Sequence, residues 1–379
     1  MSKRIADFGV RVGALPSGKL GKITDVPGVT VGHATVDDSS HHTGVTVIMP
    51  CADNMFVSKL TAAAFVLNGF GKTQGLVQVG ELGTLETPIA LTNTLNVGLV
   101  HDAIVSYMAQ RCAADGVDMR SINPVVGECN DANLNDIADR PVRETHVRAA
   151  IDSACVDFAE GCVGAGAGTV CHGLKGGIGS ASRLLPIGGR MYTLGVLVQS
   201  NYGALSELTV CGRRVGEEIV AKRRTKAAQR APARAAQGKD VAVQETTQSA
   251  AEAVDMPASP DDEPLDRGSI MIVLATDLPV SDRQLGRILK RCAAGLARCG
   301  SYYGHGSGDV MIGFSTANRV PHESREAVID QRVLAEPMLE LAFRAAAEAT
   351  EEAVITSLFA AHETVAANGK VYESLAKHW

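Results

Sequence analysis

The apolar positions of this 379-residue chain change their spacing along its length. Short β-type runs at 29–31, 45–49 and 194–198 are bounded by turn residues, which predicts strands. Helical stretches at 100–115 and 145–158 lie between them, so strands and helices mix throughout the first 215 residues. From Glu217 to Asp266 the pattern fades. A basic stretch (Lys222, Arg223, Arg224, Lys226, Arg230, Arg234) leads into Ala, Gln, Ser and Pro and then into Asp261, Asp262 and Glu263. So few large apolar side chains predict a flexible linker over 217–266. The pattern then returns with Ser269-Ile-Met-Ile-Val-Leu-Ala-Thr276, continuous in β-formers, which reads as a strand buried on both faces. Ser281 with Gln284 three residues on is a capping box, opening a helix expected to reach Cys299 and stop at Gly300. Gly304-His-Gly-Ser-Gly-Asp309 reads as a tight loop before a strand at 310–314. A long helix over 337–361 closes the pattern, with Glu351 and Glu352 expected to face solvent.

Composition narrows the chemistry. With 45% hydrophobic and 21% charged residues, the chain has the make-up of a globular protein. Eight Phe, six Tyr and one Trp are few for a base-stacking surface, and a net charge of −6 supplies no basic field, so nucleic acid is not an expected partner. No apolar run approaches the ~18 residues of a membrane span. The first residues lack the apolar stretch of a signal peptide, which predicts the cytoplasm. Nine cysteines without a CxxC read as mostly buried, reduced thiols.

The 39 glycines invite a test for phosphate loops. Gly13 to Leu20 fits G-x-x-x-x-G-K but ends in Leu, leaving no hydroxyl for magnesium. Gly71-Lys72-Thr73 has the right ending but Val66 where the first Gly belongs, and 164–168 has the wrong spacing for a dinucleotide turn. No histidine pair has metal-ligand spacing, so neither a cofactor nor a metal is expected.

The segment with chemical content is Arg267-Gly268-Ser269 at the junction of linker and strand. Two readings compete. One is an ordinary strand-edge serine. The other is intramolecular cleavage: Ser269 Oγ attacks the Gly268 carbonyl, the acyl group shifts from nitrogen to oxygen, and water hydrolyses the ester. Glycine admits the strained backbone this needs. The product carries a hydroxyl nucleophile beside a free α-amine.

An ordered set of segments decides between them: Asp25-Val-Pro-Gly-Val-Thr-Val-Gly-His33, Thr43-Gly-Val-Thr-Val-Ile-Met-Pro50, Thr87-Pro-Ile-Ala-Leu-Thr-Asn-Thr94, Pro124-Val-Val-Gly-Glu-Cys-Asn-Asp131, Lys175-Gly-Gly-Ile-Gly-Ser-Ala-Ser-Arg183, Val196-Leu-Val-Gln-Ser-Asn201, Gly306-Ser-Gly-Asp309 and Glu348-Ala-Thr-Glu-Glu352. With Gly268-Ser269 in its place among them, the chain resembles the self-processing L-aminopeptidase/D-esterase and β-peptidyl aminopeptidase family, peptidase family S58, over nearly everything but the linker. The resemblance implies a four-layer αββα sandwich of N-terminal-nucleophile type, cut into residues 1–268 and 269–379. It also implies a homotetramer of cut units and hydrolysis of N-terminal residues from short peptides, amides or esters.

Residue by residue, the resemblance makes Ser269 the nucleophile, with Ser307 and Asp309 polarising it. Asp stands at 309 where Glu is common. Asn201 matches the oxyanion-hole asparagine. For the substrate ammonium, Glu128 is the first choice and Asp131 the second. Asn133 stands near where relatives carry an aromatic. Two alternatives remain at this point: an acyltransferase like the ornithine acetyltransferases, which use Thr, and an unprocessed relative acting as a binding module.

Overall fold

A computed structural model describes residues 4–234, 267–324 and 326–379. The first half carries β1 (Thr30–Asp37), β2 (His42–Met49), β3 (Ser58–Gly69), α1 (Leu76–Leu82), β4 (Thr84–Leu85), β5 (Ile89–Asn93), α2 (Val97–Ala114), β6 (Val125–Cys129) and α3 (Glu144–Asp152). There follow β7 (Val170–Cys171), β8 (Leu174–Lys175), β9 (Gly177–Ile187), β10 (Arg190–Asn201) and α4 (Val215–Arg234). The last part carries β11 (Arg267–Thr276), α5 (Asp282–Leu289), α6 (Cys292–Arg298), β12 (Gly306–Pro321), α7 (Leu339–Ala360), β13 (Thr364–Val365) and β14 (Val371–Tyr372).

Alternation along β11 sets the architecture. Ile270, Ile272 and Leu274 enter a core shared with α5, α6 and α7, while Met271, Val273 and Ala275 enter a second core shared with β5 and β6. All six are buried, at roughly 1.5–3 kcal/mol for each large aliphatic side chain. β11 lies inside a six-stranded sheet ordered β4-β3-β12-β11-β10-β9, which explains its unbroken apolar run. The other sheet is four-stranded, β1-β2-β5-β6. Its Ile48, Leu91 and Val125 face the second core, and Val45, Val47 and Val126 face a third core with α2 and α3. The result is the four-layer order α2/α3, sheet, sheet, α5/α6/α7: an αββα sandwich. No described helix is long and apolar enough to cross a membrane.

Several expectations need correction. The segment expected as linker from Glu217 begins inside α4, whose first turns anchor Val215 and Ile219 in the core. Ala, Lys, Arg and Gln are good helix formers even where large apolar residues are scarce. Residues 235–266 lie outside the described residues. The helix expected over 281–299 is two helices, interrupted at Lys290 and Arg291. The buried spacing of Leu285, Ile288, Leu289, Cys292 and Leu296 runs unbroken across the interruption, so periodicity does not register it. The helix expected to Phe158 ends at Asp152, because Cys155 leaves it to bridge Val31 of β1.

Glu351 and Glu352 do not face solvent. α7 packs on β9 and β10 of the six-stranded sheet and against α5 and α6 of its own layer, so it has almost no solvent face. Glu352 pairs with the fully buried Arg183 (2.7 Å), which also meets Glu348 (3.3 Å), and Glu351 meets Arg298 (3.3 Å). The helix lies so close to β9 that a Cβ at Gly179 would come within 2.0 Å of Ala353 O.

Candidate active site

Strand ends converge to build the site. β10 ends where antiparallel β11 begins, setting Asn201 opposite Ser269. On the other side β12 runs parallel to β11, with Gly268 opposite Ser307 and Ser269 opposite Gly308. Ser307 and Asp309 therefore sit in β12, not in the expected loop. Pairing on both edges, to β11 and to β3, makes this glycine-rich segment a strand. From the facing sheet, β6 brings Glu128, and the Cys129 thiol ties the layers by donating to Gln199 O (3.4 Å) and Ser269 O (3.5 Å). Burial first, then the neighbouring Glu128 carboxylate, hold the Cys129 pKa well above the ordinary thiol value, so it remains a donor.

Ser269 is buried, and its Oγ donates to Gly268 O at 2.6 Å. Gly268 has φ +129°, and a Cβ there would lie 2.0 Å from Asn201 O, so glycine alone fits. A Cβ on Gly308 would lie 3.1 Å from Ser269 Oγ, so the missing side chain leaves the hydroxyl its space. Ser307 and Asp309 have no exposed surface, and Ser307 Oγ donates to Asp309 Oδ1 (2.8 Å). Asn201 is held at both ends of its amide. Nδ2 donates to Asn130 O (2.9 Å), and Oδ1 accepts from Val170 N (2.9 Å). An amide nitrogen has two hydrogens, so a second N–H is left for an oxyanion.

Ser269, Gly268, Asn201, Glu128 and Asn133 all line one cavity of about 680 Å³. Glu128 is a buried carboxylate; Oε1 accepts from Lys72 N (2.8 Å) and Oε2 from Thr94 Oγ1. Asp131 is not on the cavity wall. It is buried in the turn after β6, where Oδ2 accepts from Asn93 Nδ2 (3.2 Å) and its carbonyl caps Leu134 N (3.1 Å). Burial pushes its pKa up to about 6 against the hydrogen bonds from Thr43 and Asn93. Its position supports the turn that presents Asn130 O and Asn133.

Sequence reasoning missed part of the wall. Phe70 and Tyr372 supply aromatic surface from β3's end and from β14, so the cavity has rings although Asn stands at 133. Lys72, weighed in the sequence only as part of a phosphate loop, holds Glu128 through its backbone N–H. No sequence signal marks such a contact. Thr94 closes one of the quoted segments, and that was the available clue. Ser307 and Asp309 flank the nucleophile position along β12 without reaching the wall.

Residues 21–372 match the peptidase family S58. The chain is 37% identical over 383 residues to the β-peptidyl aminopeptidase BapA of Sphingosinicella xenopeptidilytica, covering 97% of this chain and 88% of that one. Among solved structures, the PH0078 protein of Pyrococcus horikoshii OT3 superposes with a TM-score of 0.84 at 40% identity, covering 99% of this chain and 96% of that one. The L-aminopeptidase D-Ala-esterase/amidase of Ochrobactrum anthropi, described as a prototype serine aminopeptidase with a variant Ntn hydrolase fold, superposes at 0.82 with 31% identity, covering 98% and 95%. A family match of that extent, on a sandwich whose strand ends bring Gly268-Ser269 to the wall of a cavity, places this chain in peptidase family S58.

Proposed function

We propose that the chain is a self-processing serine aminopeptidase that cuts itself between Gly268 and Ser269 and then uses Ser269 on substrate. The observation that carries this reading is Ser269 Oγ lying 2.6 Å from the oxygen of the one peptide it would break, at a glycine no other residue can replace. Oγ attacks the Gly268 carbonyl carbon, the C–N bond breaks, and the nitrogen becomes the α-amine of Ser269. Water then releases Gly268 as a carboxylate. In turnover the same Oγ attacks the scissile carbonyl of the substrate, whose departing amine takes up a proton, and water frees the acyl group.

The other residues divide the remaining tasks. The second N–H of Asn201 stabilises the developing oxyanion. The Ser307–Asp309 pair orients Ser269, whose own α-amine is the nearby base. Glu128, buried and already anchored by two donors, receives the substrate ammonium, so turnover would require a free N-terminus on the substrate. No cofactor enters these steps. Substrates are short peptides, amides or esters with L-, D- or β-aminoacyl groups. The named β-peptidyl aminopeptidase relative favours the β class. The reading extends to a homotetramer of cut units in the cytoplasm.

Intact-mass analysis of purified protein tests the cleavage: chains of 268 and 111 residues are expected, and a stable single chain overturns it. Hydrolysis of a panel of L-, D- and β-aminoacyl amides tests the activity, with N-acetylated counterparts expected to be inert.

A further inference from the structure

A second cavity, about 330 Å³, is lined by Cys162, His362, His42, Asp37, Asp38 and Glu363. The proposed reaction uses none of these residues. Cys162 is half-buried and its Sγ accepts the His362 backbone N–H at 3.4 Å. Sγ also lies 3.7 Å from His362 O, so the two residues meet at both backbone groups of His362, and His362 favours the thiolate. The buried Lys175 ammonium donates to the carbonyls of Gly166 (3.0 Å), Thr169 (2.9 Å) and Gly176 (2.9 Å). Burial pulls the Lys175 pKa down, and Cys162, Asp131 and Asp37 act against it. Burial, the largest single influence, pushes the Cys162 thiol up, but Lys175 and His362 together outweigh it and bring it down to about 6. His42 is engaged elsewhere, with Asp37 Oδ1 (2.6 Å) and Val365 O (3.0 Å). Among the described residues no group of three or more His, Cys, Asp and Glu side chains could hold a metal ion.

The place of this cavity is as telling as its residues. β13 and β14 form a hairpin in which Thr364 pairs with Tyr372. Thr364 and Val365 line the second cavity, whereas Val371 and Tyr372 line the cavity with Ser269. A second link runs through Lys175, which holds Thr169 O, while the next residue's N–H, from Val170, holds Asn201 Oδ1 at 2.9 Å.

We propose that Cys162 and His362 form a modification site for small organic disulfides, set behind the hairpin that walls the substrate cavity. The Cys162 thiolate attacks one sulfur of the disulfide, the reagent's S–S bond breaks, and a mixed disulfide forms on Sγ. The departing thiolate takes the proton of the His362 imidazolium, and excess thiol reverses the exchange. The group attached to Cys162 presses on the β13 side of the hairpin.

The test is exposure of the whole protein to 2-hydroxyethyl disulfide at pH 6, read by peptide mapping and by hydrolysis of an aminoacyl amide. Cys155 and Cys211 are more exposed than Cys162 and serve as internal controls. At pH 6 about half of Cys162 is thiolate, against about 0.3% of an ordinary thiol. After roughly a tenfold discount for lower intrinsic nucleophilicity, Cys162 is expected to react about tenfold faster than either control. Stoichiometric modification is expected to lower kcat/KM several-fold, with recovery on adding thiol. Cys162→Ser keeps the basal activity and is insensitive to the reagent. His362→Gln, which leaves the thiol in place, slows modification about threefold or more.

Faster modification of Cys155 or Cys211, or full modification of Cys162 with kcat/KM unchanged, overturns the proposal. The activity readout rests on the proposed function, but the labelling readout does not. If the untreated protein hydrolyses nothing, that function fails while the labelling order still decides the thiol site.

Discussion

The wall of the substrate cavity that carries Ser269 is continuous sheet, whereas the wall that carries Glu128 is assembled from pieces. On the first, β10, β11 and β12 hold Asn201, Gly268, Ser269 and Ser307 through adjacent ladders, so their spacing is dictated by strand register. On the second, Glu128 lies one residue before the end of β6 in the other sheet and depends on Lys72 N and Thr94 Oγ1, while Tyr372 arrives from a two-residue strand near the C-terminus. A ladder fixes its members cooperatively. An assembled wall is adjustable piece by piece. On the proposed reading, the bond that Ser269 would break sits on the rigid side and substrate selection on the adjustable one.

Substitutions separate the two walls. Ser269→Ala is expected to have the largest effect: the chain stays whole at 379 residues on denaturing electrophoresis, and turnover falls by at least ~10³-fold. Normal processing in this variant would refute the nucleophile assignment. Asn201→Ala should lower kcat by about 10²–10³-fold with KM changed little, as loss of one oxyanion donor does. On the other wall, Glu128→Gln removes a charged hydrogen bond worth roughly 1.5–3 kcal/mol, a loss of about 10–100-fold in kcat/KM. An effect of that variant equal on N-acetylated and free substrates would break the division between walls.

The smallest effect concerns stability. His33 of β1 has a pKa lowered to about 4, chiefly by burial, and its ring meets Thr46 Oγ1 (2.9 Å) and Ala159 O (3.1 Å). The unfolded chain binds the proton first, so this contribution is present above pH 6.5 and is lost as pH falls towards 4. Its upper limit is about 3 kcal/mol. Melting temperatures of wild type and His33→Gln, measured across that window, should fall less steeply for the variant.

The legible parts of the fold share one property: their signal is local. The buried run 270–275, the Ser281 capping box and the long closing helix each depend on neighbours within a few residues, and the structure has all three. The linker reading failed at α4 because a helix rich in Ala, Lys and Arg needs only one buried turn, at Val215 and Ile219, to dock. The solvent reading of Glu352 failed because its partner, Arg183, lies 169 positions away. Ser307 and Asp309 looked like a loop because glycine spacing says nothing about the strands on either side.

Sequence by itself determined the alternation of β11, the glycine at 268 beside a serine, and the ordered segments that mark the family. These are encoded in consecutive residues, where backbone freedom and side-chain period act directly. Tertiary structure alone decided that Glu128 reaches the cavity wall while Asp131, three residues on, turns inward to support a turn. It also supplied the aromatic surface from Phe70 and Tyr372 and placed Cys162 beside His362, 200 positions apart. Such contacts come from how two sheets stack and how a terminal hairpin folds back, and chain spacing carries no record of either.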